Sequence, residues 1–124
     1  MSQLDQYVET SEPISALMAG HSAHTSGSPM DWVLAKPGIF VKTLYKSPDH
    51  AHRTLLFRLE PGARSALHSH ESLEQIYVLY GSFHDGTCWL RAGDHCVRPA
   101  GAKHSAWSES GATVLVIYTP AHPS

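Results

Sequence analysis

The twenty-one residues PGARSALHSHESLEQIYVLYG, Pro61 to Gly81, decide how the rest of the chain is read. Pro61-Gly62 is a turn, and the short apolar stretches after it have the texture of strands. His68-Ser69-His70 sets two imidazoles at i and i+2, positions that face one side of a strand. Glu74 follows four residues later, and a turn over 71–73 would bring it back beside both histidines. Three groups clustered in sequence cap only one side of an ion, so a further ligand must come from a distant strand. His104 is the best candidate, because it follows the Pro99-Ala100-Gly101 turn and enters a strand. Three imidazoles and a carboxylate are costly to bury in an apolar interior unless a cation compensates them. Neutral imidazole and carboxylate donors suit Fe(II), Mn(II), Co(II), Ni(II), Cu(II) and Zn(II).

Outward from this stretch, short apolar runs alternate with turn residues from Trp32 onward. Strands are predicted over 39–45, 54–59, 66–70, 75–83, 87–91, 95–98, 103–107 and 112–118. Asp85-Gly86 signals a tight hairpin between the fourth and fifth of these. About eight short, evenly spaced strands with almost no helix predict an all-β sandwich or barrel. Residues 1–30 are polar and rich in Ser, Gly and Pro, with one helical turn expected over 14–19; they are read as an N-terminal arm, and 31–120 as the barrel domain. No G-x-G-x-x-G or P-loop pattern occurs, and there is no α/β alternation.

The composition excludes several classes. A chain of 124 residues suits one domain with a real core. The net charge of −2 is spread along the sequence, which speaks against a nucleic-acid partner. Cys88 and Cys96 form no C-x-x-C pattern and read as two small half-buried hydrophobes rather than a thiolate zinc site. No secretory signal and no bilayer-spanning apolar run is present, so a soluble cytoplasmic protein without a membrane partner is expected.

Residues 62–81 resemble the first cupin motif, with Gly62, His68, His70, Glu74 and Gly81 in register. Residues 93–104 resemble the second, with Gly93, Pro99, Gly101 and His104 in register. The resemblance covers roughly 32–119 and implies a jelly-roll β-barrel with His68, His70, Glu74 and His104 on one divalent metal. Within the superfamily the text is most similar to ChrR-like cupins, on Trp32 to Lys42, LEQIYVLYGSFHDG and GATVLVIYTP. That group includes the cupin half of an anti-sigma factor and dioxygenases that cleave acetylacetone or hydroxyacetophenones. Two features depart from the pattern: Ser108 stands where the second motif often ends in Asn, and only eleven residues separate Gly81 from Gly93. The anti-sigma relative also carries a helical zinc domain with paired cysteines, which this sequence lacks, so sigma-factor binding is not expected.

What the resemblance implies is an Fe(II)-dependent dioxygenase acting on a small diketone or hydroxyketone, with Glu74 as ligand or as catalytic base. Zn(II), Mn(II) and Ni(II) are the alternative ions. A non-catalytic zinc sensor or small-molecule-binding module, and a sugar isomerase or epimerase, are the rival readings. Ile76, Val78 and Trp107 are expected to wall a substrate pocket, with Glu74, Ile76, Val78 and Tyr80 on one strand face. His50-Ala51-His52 is read as a surface hairpin, His84 and His95 as exposed hairpin positions, and Arg58, Arg91 and Arg98 mostly as solvated. A homodimer formed through sheet edges is expected, with the N-terminal arm crossing to the partner.

Overall fold

A computed structural model describes residues 16–24 and 31–121. Most of the expected N-terminal arm, including the start of its helical turn, lies outside the described residues; a single helical turn stands at 16–18. The rest is strand: β1 (Val33–Lys36), β2 (Ile39–Lys46), β3 (Arg53–Leu59), β4 (Arg64–His68), β5 (Leu73–His84), β6 (Trp89–Arg91), β7 (His95–Arg98), β8 (His104–Trp107) and β9 (Ala112–Thr119). All the pairings are antiparallel, so each wall alternates inward and outward residues. Among the described residues no helix is long and apolar enough to cross a membrane.

The eight expected strands are present with bounds shifted by a few residues, and β1 is an addition. Val33-Leu34-Ala35-Lys36 is short and, among the described residues, lies on the sheet edge and pairs with β2 alone across the Pro37-Gly38 turn. Its propensity signal is weak, and the long neighbour it can pair with stabilises it.

β5 organises the molecule. Its first part pairs with β9 on one side and β7 on the other, and its last three residues pair with β6. One sheet, β1-β2-β3-β9-β5, thus passes its central strand on to β8 and β4, and the whole curls into a barrel. The bend sits at a bulge between Val78 and Tyr80, followed by Gly81 at φ 74°. A Cβ on Gly81 would meet the carbonyl oxygen of Gly111, so the strands can approach here only without a side chain. The bulge corrects one expectation. Glu74, Ile76 and Val78 point inward, but Tyr80 is 68% exposed because the extra residue breaks the alternation.

The core is Ile39, Val41, Leu55, Leu59, Ile76, Val78, Phe83, Val114 and Val116 among others, contributed by β2, β3, β5 and β9. Ser108 is fully buried: its Oγ donates to the Ser82 carbonyl (2.7 Å) and accepts from the Gly111 amide (2.8 Å). A hydroxyl therefore closes this turn. The Asp85-Gly86 hairpin is a four-residue tip rather than a two-residue one, since His84 pairs with Trp89.

Candidate metal centre

His68 and His104 are direct cross-strand partners on β4 and β8. Their ring centroids lie 4.3 Å apart. β4 ends at His68, so His70 is not its strand-mate; it lies in the link to β5, where its carbonyl accepts from the Gly101 amide at 2.8 Å. The link still turns the His70 ring to 4.9 Å from His68 and 5.1 Å from His104. The ligand nitrogens of the three histidines all lie within 4.8 Å of one another; Glu74 stands outside that group. Ligand atoms of one ion with bonds of about 2.0–2.2 Å stand about 3–4 Å apart; Glu74 oxygens reach that distance from two of these rings, 3.5 Å from His104 Nε2 and 3.6 Å from His70 Nε2.

The rings are prepared to donate lone pairs. His68 Nδ1 is 2.6 Å from the Ala66 carbonyl, and His104 Nδ1 is 3.4 Å from that of Ala102. In a neutral ring, an Nδ1–H spent on a carbonyl leaves Nε2 as the lone-pair nitrogen, the form a metal needs. Burial pushes the His70 imidazole down to about 4, against the upward pull of Glu74. Burial also lowers His104, with Glu74 opposing. Both rings are thus neutral at pH 7, and the chemistry of the donor set fits a borderline divalent cation.

Glu74 opens β5 and is 4% exposed. Its cross-strand partners are Arg98 on β7 and Tyr118 on β9. Arg98 Nη1 donates to Glu74 Oε1 at 2.9 Å, while His104 Nε2 lies 3.5 Å from the same oxygen and His70 Nε2 3.6 Å from Oε2. The Tyr118 hydroxyl is hydrogen-bonded to Glu74 and lies 3.4 Å from His70 Nε2. Burial, with Glu74 beside it, raises the Tyr118 phenol well above its usual range, so it remains a donor.

These groups line one cavity of about 620 Å³, a size that suits a small-molecule ligand. Its remaining wall is largely apolar and includes Ile39, Phe57, Leu59, Ile76, Phe83 and Val114. Of the expected pocket residues, Ile76 lines the cavity; Val78 and Trp107 do not. Val78 is fully buried in the core beyond the cavity. Trp107 packs outside the barrel wall, its ring 5.1 Å from that of Trp89 and under the Arg64 guanidinium.

Two further residues change role. Arg98 is 7% exposed rather than solvated. Its inward direction follows from pairing opposite Glu74, a register invisible along the chain. His50 lines the cavity from a loop at φ 62°, held by the Ser47 and Asp49 bonds around it; it belongs to no metal group among the described residues. His84 is half-buried against Trp89 and His95 is exposed, near Gln75. Both cysteines are free thiols, Cys88 exposed and Cys96 half-buried.

The profile of the ChrR Cupin-like domain family matches residues 21–122. No curated protein matches the chain. Among solved structures, an RmlC-like cupin from Shewanella frigidimarina is 22% identical with a TM-score of 0.71, over 79% of this chain and 90% of that one. An acetylacetone dioxygenase from Acinetobacter johnsonii is 18% identical with a TM-score of 0.68, over 80% and 76%. The Rhodobacter sphaeroides complex of SigE with the anti-sigma ChrR gives 22% identity and a TM-score of 0.66, over 90% and 68%. At these identities the likeness is one of fold.

Proposed function

The chain belongs to the ChrR-like cupin family, and from that premise we propose that it is an Fe(II)-dependent dioxygenase cleaving a carbon–carbon bond of a small diketone or hydroxyketone. The observation that carries this reading is three histidines gathered in one cavity of about 620 Å³ whose wall also carries Ile39, Phe57, Ile76, Phe83 and Val114. His68, His70 and His104 would hold the ion, with Glu74 against them. When bound, such an ion supplies a Lewis acid and a redox partner for oxygen.

The remaining roles fall to the chain itself. Glu74 Oε2, the oxygen that Arg98 does not hold, is the base that takes the acidic C–H proton, from the carbon between the two carbonyls of a diketone or from the hydroxyl-bearing carbon of a hydroxyketone. Tyr118, kept protonated, donates to Glu74 and steadies it for that transfer. Ile76, Phe83, Phe57 and Val114 seat an alkyl or aryl substituent and exclude water. The likeness to an acetylacetone dioxygenase supports the substrate class. Protein reconstituted anaerobically with Fe(II) should take up oxygen on acetylacetone or an aryl hydroxyketone; full iron loading with no uptake on either would overturn the reading.

A second reading is a non-catalytic zinc-loaded sensor cupin; the similar ChrR structure is that of an anti-sigma factor in complex with SigE, a binding rather than a catalytic role. Elemental analysis of untagged protein separates the two: iron favours the enzyme, zinc the sensor.

A further inference from the structure

β3 turns Arg53, Leu55, Phe57 and Leu59 inward in alternation; Leu55 is buried in the core, and Arg53, Phe57 and Leu59 line the cavity. A guanidinium at the end of an apolar row loses solvation, so its presence there needs a reason. Its cross-strand partner is Tyr118, and the guanidinium carbon sits 4.4 Å from the centre of that ring. Tyr118 in turn lies 5.0 Å, ring to ring, from His70. The cation is therefore held one side chain away from the histidine cluster, within the same cavity. A ring attracts a cation through its π face and does not consume the planar N–H fork, which suits a carboxylate.

His50 reaches the same cavity from the turn between β2 and β3. Its φ of 62° is left-handed, a conformation that costs energy for a residue with a Cβ. The turn enforces it: the His50 amide donates to the Ser47 carbonyl at 2.9 Å, and Asp49 Oδ1 accepts from Ser47 Oγ (2.6 Å) and the Ala51 amide (3.1 Å). The other charged groups at the cavity have visible roles. Arg98 is shared between Glu74 Oε1 (2.9 Å) and Asp85 Oδ2 (2.8 Å), Lys36 Nζ donates to Ser65 Oγ (3.1 Å), and Glu71 is exposed.

We infer that Arg53 and His50 form a carboxylate subsite, and that the substrate is a small diketone or hydroxyketone that carries a carboxylate, the 2,4-dioxo acids being the simplest. The ketone oxygens face the histidine cluster, the carboxylate takes the Arg53 fork, and a His50 ring N–H is a second donor. A carboxylate uses two of the five N–H donors of a guanidinium, so the subsite stands alongside the other contacts of the side chain. The inference rests on the reading of this cavity as the substrate site and narrows the substrate class.

The test uses the full chain loaded with Fe(II) without oxygen, and reads Kd by calorimetric titration. The probes share one skeleton: 2,4-dioxopentanoate, its uncharged methyl ester, and acetylacetone, in which a methyl group replaces the carboxylate. The wild type should bind the acid about tenfold or more tighter than either neutral probe, the scale of a charge-assisted hydrogen bond. Arg53→Met keeps an apolar stem on Tyr118 without the charge, and should bring that ratio to about one. Arg53→Lys keeps the charge without the fork; it should give an intermediate ratio, and it carries the test if the Met variant does not fold. His50→Ala should lower the ratio by about threefold. A wild-type ratio near one overturns the subsite and leaves the cavity reading standing. So does a ratio that survives in both Arg53 variants, because the ion itself would then hold the carboxylate. Binding of none of the probes overturns both. Tight, Arg53-dependent binding of the acid with no oxygen uptake in air overturns the dioxygenase and leaves the subsite.

Discussion

Burial holds the His70 imidazole neutral down to about pH 4, whereas the unfolded chain protonates it near 6.5. The unfolded state therefore gains the proton first as pH falls, and this contribution to stability is intact above about 6.5 and lost progressively toward 4. The loss is on the order of 2 kcal/mol once partial solvent exposure is allowed for. Urea titrations of the metal-free protein at pH 7 and pH 4.5 should show it as a lower midpoint at acid pH, and His70→Gln should flatten the difference. Arg98 and Asp85 act at the same scale. Burial raises the Asp85 carboxyl, but the Cys88 and Thr87 amides and Arg98 outweigh it and hold it below the ordinary value. Asp85→Ala strands a buried guanidinium with half its partners, and a loss of about 3 kcal/mol in unfolding free energy is expected.

At the scale of elements, β5 and its bulge set the geometry. Its inward residues Glu74 and Ile76 lie on the β9 and β7 side, and the break at Val78 and Tyr80 lets the strand leave that sheet for β6. Gly81→Ala forces a Cβ onto the Gly111 carbonyl at a positive φ, so loss of more than about 3 kcal/mol is expected in a denaturant melt. The histidine cluster shows how far a sequence can be read. The H-x-H spacing predicts two imidazoles on one strand face; the structure brings His68 and His70 together through a strand end and a link instead, because β4 stops at His68. Parity and chemical type place Val78 and Trp107 at a pocket wall. Parity alone does not say how deep the cavity runs, and an aromatic residue packs equally well on the outside of a barrel.

The whole molecule leaves an apolar outer face on β5 and β7, where Tyr77, Leu79 and Val97 are 44%, 49% and 54% exposed. A homodimer is expected to cover it: light scattering should give twice the chain mass of 13.6 kDa, and Tyr77→Lys with Val97→Lys should return it to that mass. Metal binding should also be felt by the entire fold, since His68, His70 and His104 join β4, β8 and the link into β5. Stripping the ion with a chelator should lower the melting temperature, because an ion present at a thousandfold its Kd stabilises by about 4 kcal/mol.

Strand alternation and turn chemistry point to an all-β sandwich or barrel, because both are local features of the sequence. The resemblance of 62–81 and 93–104 to the two cupin motifs adds the narrower fold and the grouping of His68, His70 and Glu74 with the distant His104. Tertiary structure alone decided that Arg98 faces inward beside Glu74, that Asp85 braces it, and that His50 reaches the cavity. The reason is register: which residues of two strands lie opposite is set by the packing of the whole sheet, and a one-residue shift would turn Arg98 out to water.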